Sequence, residues 1–208
     1  RKGDLLYVDE GVHFCAAVGC TLARGATRAF PHQDYAALEE QLRQQAAADL
    51  VLPPHKRHRL FLLVEGVYAC DGSLADLPTL LRLRDTYGCY LIVDETLSFG
   101  ALGKTGRGIS EHFGLAPSCI DVLVGSLEHS LASVGGFCAG NRMVVSHQRL
   151  SGTGYCFSAS LPAYATCAAL AALKLLDAQP ERLTQLAANS AALHAALVKH
   201  VAGCSPLI

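Results

Sequence analysis

A chain of 208 residues with 51% hydrophobic and 17% charged residues holds enough apolar material for one domain with a substantial core. Its formal net charge of -1 gives no basis for an electrostatic hold on nucleic acid or on anionic lipid. The nine cysteines are scattered, mostly in apolar runs, and no Cys-x-x-Cys pair occurs, so reduced, buried thiols on a cytosolic face are expected, with no zinc site and no disulfide scaffold.

In chain order, residues 5–8 read as a short strand, 11–23 as a helix and 27–30 as a second strand. Asp34 then caps a helix to about residue 49, with Tyr35, Leu38 and Leu42 at helical spacing. Pro53, Pro54 and a basic cluster mark residues 50–59 as an exposed loop. Residues 60–65 form a continuous apolar strand ending in Glu65, followed by a turn-rich loop over 66–74. A helix over 76–87 tolerates Pro78 in its first turn. Residues 90–93 form another apolar strand, again followed by an acid, Asp94; 121–125 and 135–139 supply two more. Helices are expected over 143–150, 161–178 and 180–200, the last two split at Pro180. The small-residue segment 161–176, interrupted by Pro162, suits a buried helix better than a membrane span. Because the chain opens on Arg1 directly into strand and stops soon after a helix, it is expected to be an internal piece of a longer protein.

Strand, helix, strand at this spacing implies parallel βαβ units with both sheet faces covered, an α/β fold. Ligands of such sheets bind beyond the carboxyl ends of the strands, which is where Glu65, Asp94 and Ser126 fall.

Three stretches carry candidate chemistry. The first is Val93-Asp94-Glu95-Thr96-Leu97-Ser98-Phe99-Gly100. A carboxylate at a buried strand end needs a partner: Asp94 either caps the next loop or faces a cation such as a protonated pyridine nitrogen. The second runs from Ser126 through His129 to the paired Gly135-Gly136, a loop suited to close backbone approach, in which His129 is a base, a stacking group or a spectator. The third, residues 149–162, places glycines and hydroxyls before a helix, as a phosphate site or a simple cap does.

Taken in order, Glu65-Gly66-Val67-Tyr68, Asp71-Gly72, Leu77-Pro78, Asp94-Glu95, Gly100-Ala101-Leu102-Gly103, Gly106-Arg107-Gly108, Asp121, the 126–136 loop and Phe157-Ser158 through Leu161-Pro162 resemble the α-oxoamine synthase family of fold-type-I pyridoxal-phosphate enzymes. The likeness covers most of residues 3–180. It implies the fold type I architecture: a large domain over 1–178 with a mostly parallel sheet flanked by helices, and the start of a small domain over 179–208.

Leu97-Ser98-Phe99-Gly100, residues 131–138, His147-Gln148-Arg149-Leu150-Ser151-Gly152 and residues 155–162 are similar to the lysine-free subunits of heterodimeric serine palmitoyltransferases. The family's Schiff-base lysine position holds His129, which cannot form the aldimine, and the position of the family's histidine near the cofactor ring holds Leu97.

The resemblance therefore implies a non-catalytic subunit whose lysine-bearing partner binds pyridoxal 5'-phosphate covalently. That partner condenses L-serine with palmitoyl-coenzyme A to 3-ketosphinganine, at the cytosolic face of the endoplasmic reticulum membrane. On this chain it leaves Asp94 and Ser158 as cofactor-facing candidates, vestigial or acting across the interface. The alternatives are a self-sufficient α-oxoamine synthase and a scaffold without sphingolipid chemistry.

Overall fold

The computed structural model describes residues 3–23 and 25–198. One six-stranded sheet organises them, in the order β2-β1-β3-β4-β5-β6. Its strands are β1 (Leu5–Asp9), β2 (Ala26–Phe30), β3 (Leu60–Glu65), β4 (Tyr90–Asp94), β5 (Val122–Ser126) and β6 (Gly136–Gly140). The first five are parallel; β6 closes the edge antiparallel to β5. The helices are α1 (Phe14–Leu22), α2 (Tyr35–Leu50), α3 (Leu77–Tyr87), α4 (Ile109–His112), α5 (Arg142–Ser151), α6 (Thr153–Cys156), α7 (Ala163–Ala178) and α8 (Glu181–Val198). Among the described residues no helix is long and apolar enough to cross a membrane.

Alternation along the strands builds the core. Leu5 and Tyr7, Leu60, Leu62 and Val64, and Leu91 and Val93 point to one face and are buried beneath Leu38 and Leu42 of α2 and Leu80 and Leu83 of α3. Each such leucine contributes about 1.5–3 kcal/mol by leaving water. The opposite face differs from the expected full cover: Leu6, Phe61, Leu63 and Ile92 remain only half-buried. Phe61 stacks on Tyr90 there, with ring centroids 5.3 Å apart.

One helix start follows its expected cap, and a second aspartate caps another. Asp34 accepts the Ala37 N–H at 2.9 Å, and Asp76 accepts the Thr79 N–H at 3.2 Å. α3 ends at Gly88, whose φ of 65° is the left-handed conformation that suits a glycine C-cap. α1 starts later than its sequence pattern indicates. The Asp9 carboxylate takes the Gly11 N–H at 2.7 Å, which holds residues 10–12 in a turn, and His13 becomes the cap. The four-residue helices α4 and α6 are too short to leave a periodic signal. The cysteines depart from expectation. Cys20 and Cys89 are buried, but Cys15, Cys70, Cys156 and Cys167 are exposed, and Cys204 lies outside the described residues.

The strand order reverses between β1 and β3: the chain leaves β1 for β2 on one side, then crosses back to β3 on the other. Such a reversal opens a crevice at the carboxyl ends of the two strands. Leu62→Ala, at the centre of the buried face, is expected to lower stability by about 2–5 kcal/mol in urea denaturation.

Candidate functional site

Because five strands run parallel, Glu65, Asp94 and Ser126 end on one rim, as the sequence pattern predicts, and Asp9, at the end of β1, joins them there. Glu65 and Asp94 are register partners on adjacent strands. Burial pushes the Glu65 carboxyl above its usual range, and the Asp94 charge adds to the shift. Glu65 is buried and satisfied by the backbone N–H groups of His13 and of Ala69, the latter at 3.0 Å. Asp94 is half-buried and accepts the Thr96 N–H at 2.9 Å, so its carboxylate caps the loop that follows it.

The next residue, Glu95, is fully buried. It accepts the Ser98 hydroxyl and the Ile109 N–H, the latter at 3.1 Å, and so ties the β4–α4 loop back onto the strand end. Gly108 (φ 83°) lies against this carboxylate where no Cβ fits. Burial raises the Glu95 pKa as well.

His129 is exposed in the β5–β6 loop, where its carbonyl accepts the Ala132 N–H at 3.3 Å. Ala132 holds φ 47°, left-handed backbone at a residue with a Cβ. The Ser130 hydroxyl donates to the Phe99 carbonyl at 2.8 Å, and the Ser133 hydroxyl to that of Ala165 at 2.7 Å. The loop is thereby fastened over the segment that follows Asp94. The structure brings these two sequence-predicted stretches together through main-chain anchors.

Ser158 is exposed after α6, and its hydroxyl donates to the Gly154 carbonyl, a local bond that leaves it apart from the rim network. Leu97 lines a cavity of about 700 Å³ with Val67, Leu102, Lys104, His112 and Leu183. The β5–β6 loop contains no lysine; Lys104, in the β4–α4 loop, borders this cavity instead.

The network around Asp9 has no counterpart in the sequence-based candidates. Asp9 is fully buried and is held by the Gly11 and Gln33 N–H groups, the His32 Nδ1 at 2.6 Å and the Tyr68 hydroxyl at 3.0 Å. His32 meets the Tyr68 ring edge-on, with centroids 4.5 Å apart. Burial disfavours a charged His32, but the bonds and charges of Asp9 and Asp71 outweigh it, so its pKa is raised overall. Burial and the Asp9 charge push the Tyr68 phenol up. Asp9 ends an apolar strand as Glu65 and Asp94 do, and that shared position is the signal that could have flagged it.

The family model for class I and II aminotransferases matches residues 1–208. The chain belongs to the class I and II aminotransferase family. It is 40% identical over 194 residues to long chain base biosynthesis protein 1c of Oryza sativa subsp. japonica, covering 93% of this chain and 40% of that protein. It is 39% identical over 203 residues to serine palmitoyltransferase 1 of Dictyostelium discoideum, covering 96% of this chain and 41% of that protein. The chain thus spans about 40% of the length of these relatives. A solved structure of SPT with a PLP internal aldimine superposes with a TM-score of 0.84 at 30% identity, over 95% of this chain and 47% of that one.

A covalent cofactor of that kind does not fit the β5–β6 loop, which has no lysine. An internal aldimine needs a primary amine, and the β5–β6 loop of this aminotransferase-family chain offers the exposed imidazole of His129.

The raised Glu95 pKa has a defined consequence. Between the unfolded value, near 4.5, and its higher folded value, the folded state binds the extra proton, so this residue's contribution to stability falls as pH rises through that window. Glu95→Gln removes the titration. Its stability relative to the parent is expected to increase from pH 4.5 upward, measured as the difference in thermal midpoints.

Proposed function

We propose that this chain is part of the non-catalytic subunit of serine palmitoyltransferase. In this reading it pairs with a lysine-bearing subunit, which holds pyridoxal phosphate and condenses L-serine with palmitoyl-coenzyme A to 3-ketosphinganine. One observation carries the reading. In a family whose SPT structures include an internal aldimine, the loop between β5 and β6 is held by its serine anchors and ends in paired glycines, but it carries His129 and no amine.

The similarity to relatives named for long-chain-base biosynthesis and serine palmitoyltransferase supports the choice of reaction. Asp94 has a local duty in this reading, as the cap of the 95–99 turn, and Ser158 is held within its own turn. Their place in cofactor binding is a contact offered to the partner's site. The assembly is assigned to the cytosolic face of the endoplasmic reticulum membrane, which membrane fractionation of tagged full-length protein tests.

The decisive experiment is borohydride reduction of the purified assembly followed by mass spectrometry. The cofactor adduct is expected on the partner alone. An adduct on any lysine of this chain, with Lys104 the first to inspect, overturns the proposal.

His129→Lys is expected to yield no activity from this chain by itself. On the resemblance, Leu97 stands where the family has a histidine, and an amine without its supporting shell does not make a site. Turnover by that variant without a partner contradicts the reading.

A further inference from the structure

Apart from the His129 loop, three side chains of metal-ligand type converge outside the carboxyl ends of β1 and β3. One ligand atom each from His32, Cys70 and Asp71 lies within 4.8 Å of the others. His32 Nε2 is 3.3 Å from Asp71 Oδ2, and Cys70 Sγ is 3.7 Å from Asp71 Oδ1. Bonds of about 2.0–2.3 Å to a tetrahedral zinc ion give ligand-to-ligand edges of roughly 3.3–3.8 Å, so small side-chain movements complete the figure.

The supporting partner of such a site is also in place. Buried Asp9 holds His32 Nδ1 at 2.6 Å, so Nε2, which also lies 3.2 Å from the Ser73 hydroxyl, is the nitrogen facing the cluster. A carboxylate behind the imidazole in this way fixes ring orientation and tautomer at metal sites. Tyr68 braces both members, its hydroxyl on Asp9 and its ring against His32. Asp71 divides its oxygens: Oδ1 caps its own turn through the Ser73 N–H at 2.9 Å and hydroxyl at 2.7 Å, while Oδ2 turns to His32. The cluster also occupies the reversal of strand order between β1 and β3, where sheets of this kind bind ligands.

We propose that His32 Nε2, Asp71 Oδ2 and Cys70 Sγ bind a zinc ion, with water in the fourth position. Imidazole, thiolate and a single carboxylate favour zinc over magnesium or calcium, which take oxygen donors. On binding, the Cys70 thiol gives its proton to solvent and no redox change occurs. The ion ties the β3–α3 loop to the segment after β2. The lack of a Cys-x-x-Cys pair does not bear on this site, because its ligands come from two segments 38 or more residues apart in sequence.

The test uses full-length protein stripped with a chelator and titrated with Zn²⁺ against a chromogenic competitor. The parent is expected to bind one more zinc per chain than the Cys70→Ser/Asp71→Asn double variant, and each single variant to lose at least about tenfold in affinity. Both positions are exposed, and metal-free thermal midpoints equal to the parent's establish that the variants fold. Co²⁺ gives a second readout on the parent: a thiolate-to-cobalt charge-transfer band is expected, lost in Cys70→Ser and kept in Cys15→Ser. Equal zinc affinity in the parent and both single variants, or cobalt bound without the thiolate band, overturns the proposal.

Discussion

Three carboxylates buried at the carboxyl edge of a parallel sheet determine how the site is built. Asp9, Glu65 and Glu95 are almost wholly removed from water, where an ionised carboxylate is costly unless donors surround it. No lysine or arginine supplies those donors; they are N–H groups of the succeeding loops, together with the Tyr68 and Ser98 hydroxyls and the His32 ring. Each loop is thus drawn back onto the strand end that launches it or its neighbour. Parallel pairing places all these ends on one side, so the demand for donors folds a set of otherwise irregular segments into a single rim.

The same logic explains how the β5–β6 loop holds its shape without help from the side chain at position 129. The stretch that carries His129 is fastened by Ser130 to the Phe99 carbonyl, by Ser133 to the Ala165 carbonyl and by the Ser133 N–H to the Leu127 carbonyl. None of these bonds involves the side chain at position 129, which points to solvent. The shape of this loop is therefore independent of the side chain that stands at position 129. In the proposed role of completing a partner, the rigidity of this loop is what matters, and the serine anchors supply it.

Sequence patterns located nearly every long element, because short continuous apolar runs mark Leu60–Glu65 and Tyr90–Asp94 and helical spacing marks Tyr35–Leu50. They failed where a remote or very short interaction set the outcome. α1 begins at Phe14 because Asp9 and His13 capture backbone N–H groups ahead of it, and four-residue α4 and α6 have no period to read. Four cysteines expected inside are exposed, since a small apolar side chain follows whichever face its helix or loop presents. The Asp94 rim was legible; the Asp9–His32–Tyr68 network was not, although Asp9 ends its strand in the same way.

By itself, then, the amino-acid sequence determined the order of strands and helices, the carboxylates at the strand ends and the lack of a lysine in the β5–β6 loop. These are properties of residue type and local spacing. Tertiary structure alone decided that Asp9 meets His32 and Tyr68 and that His32 meets Asp71. Most of those contacts join residues 23 to 59 positions apart. They exist because β1 lies between β2 and β3 in the sheet, an arrangement fixed by packing across the whole domain and by no local pattern.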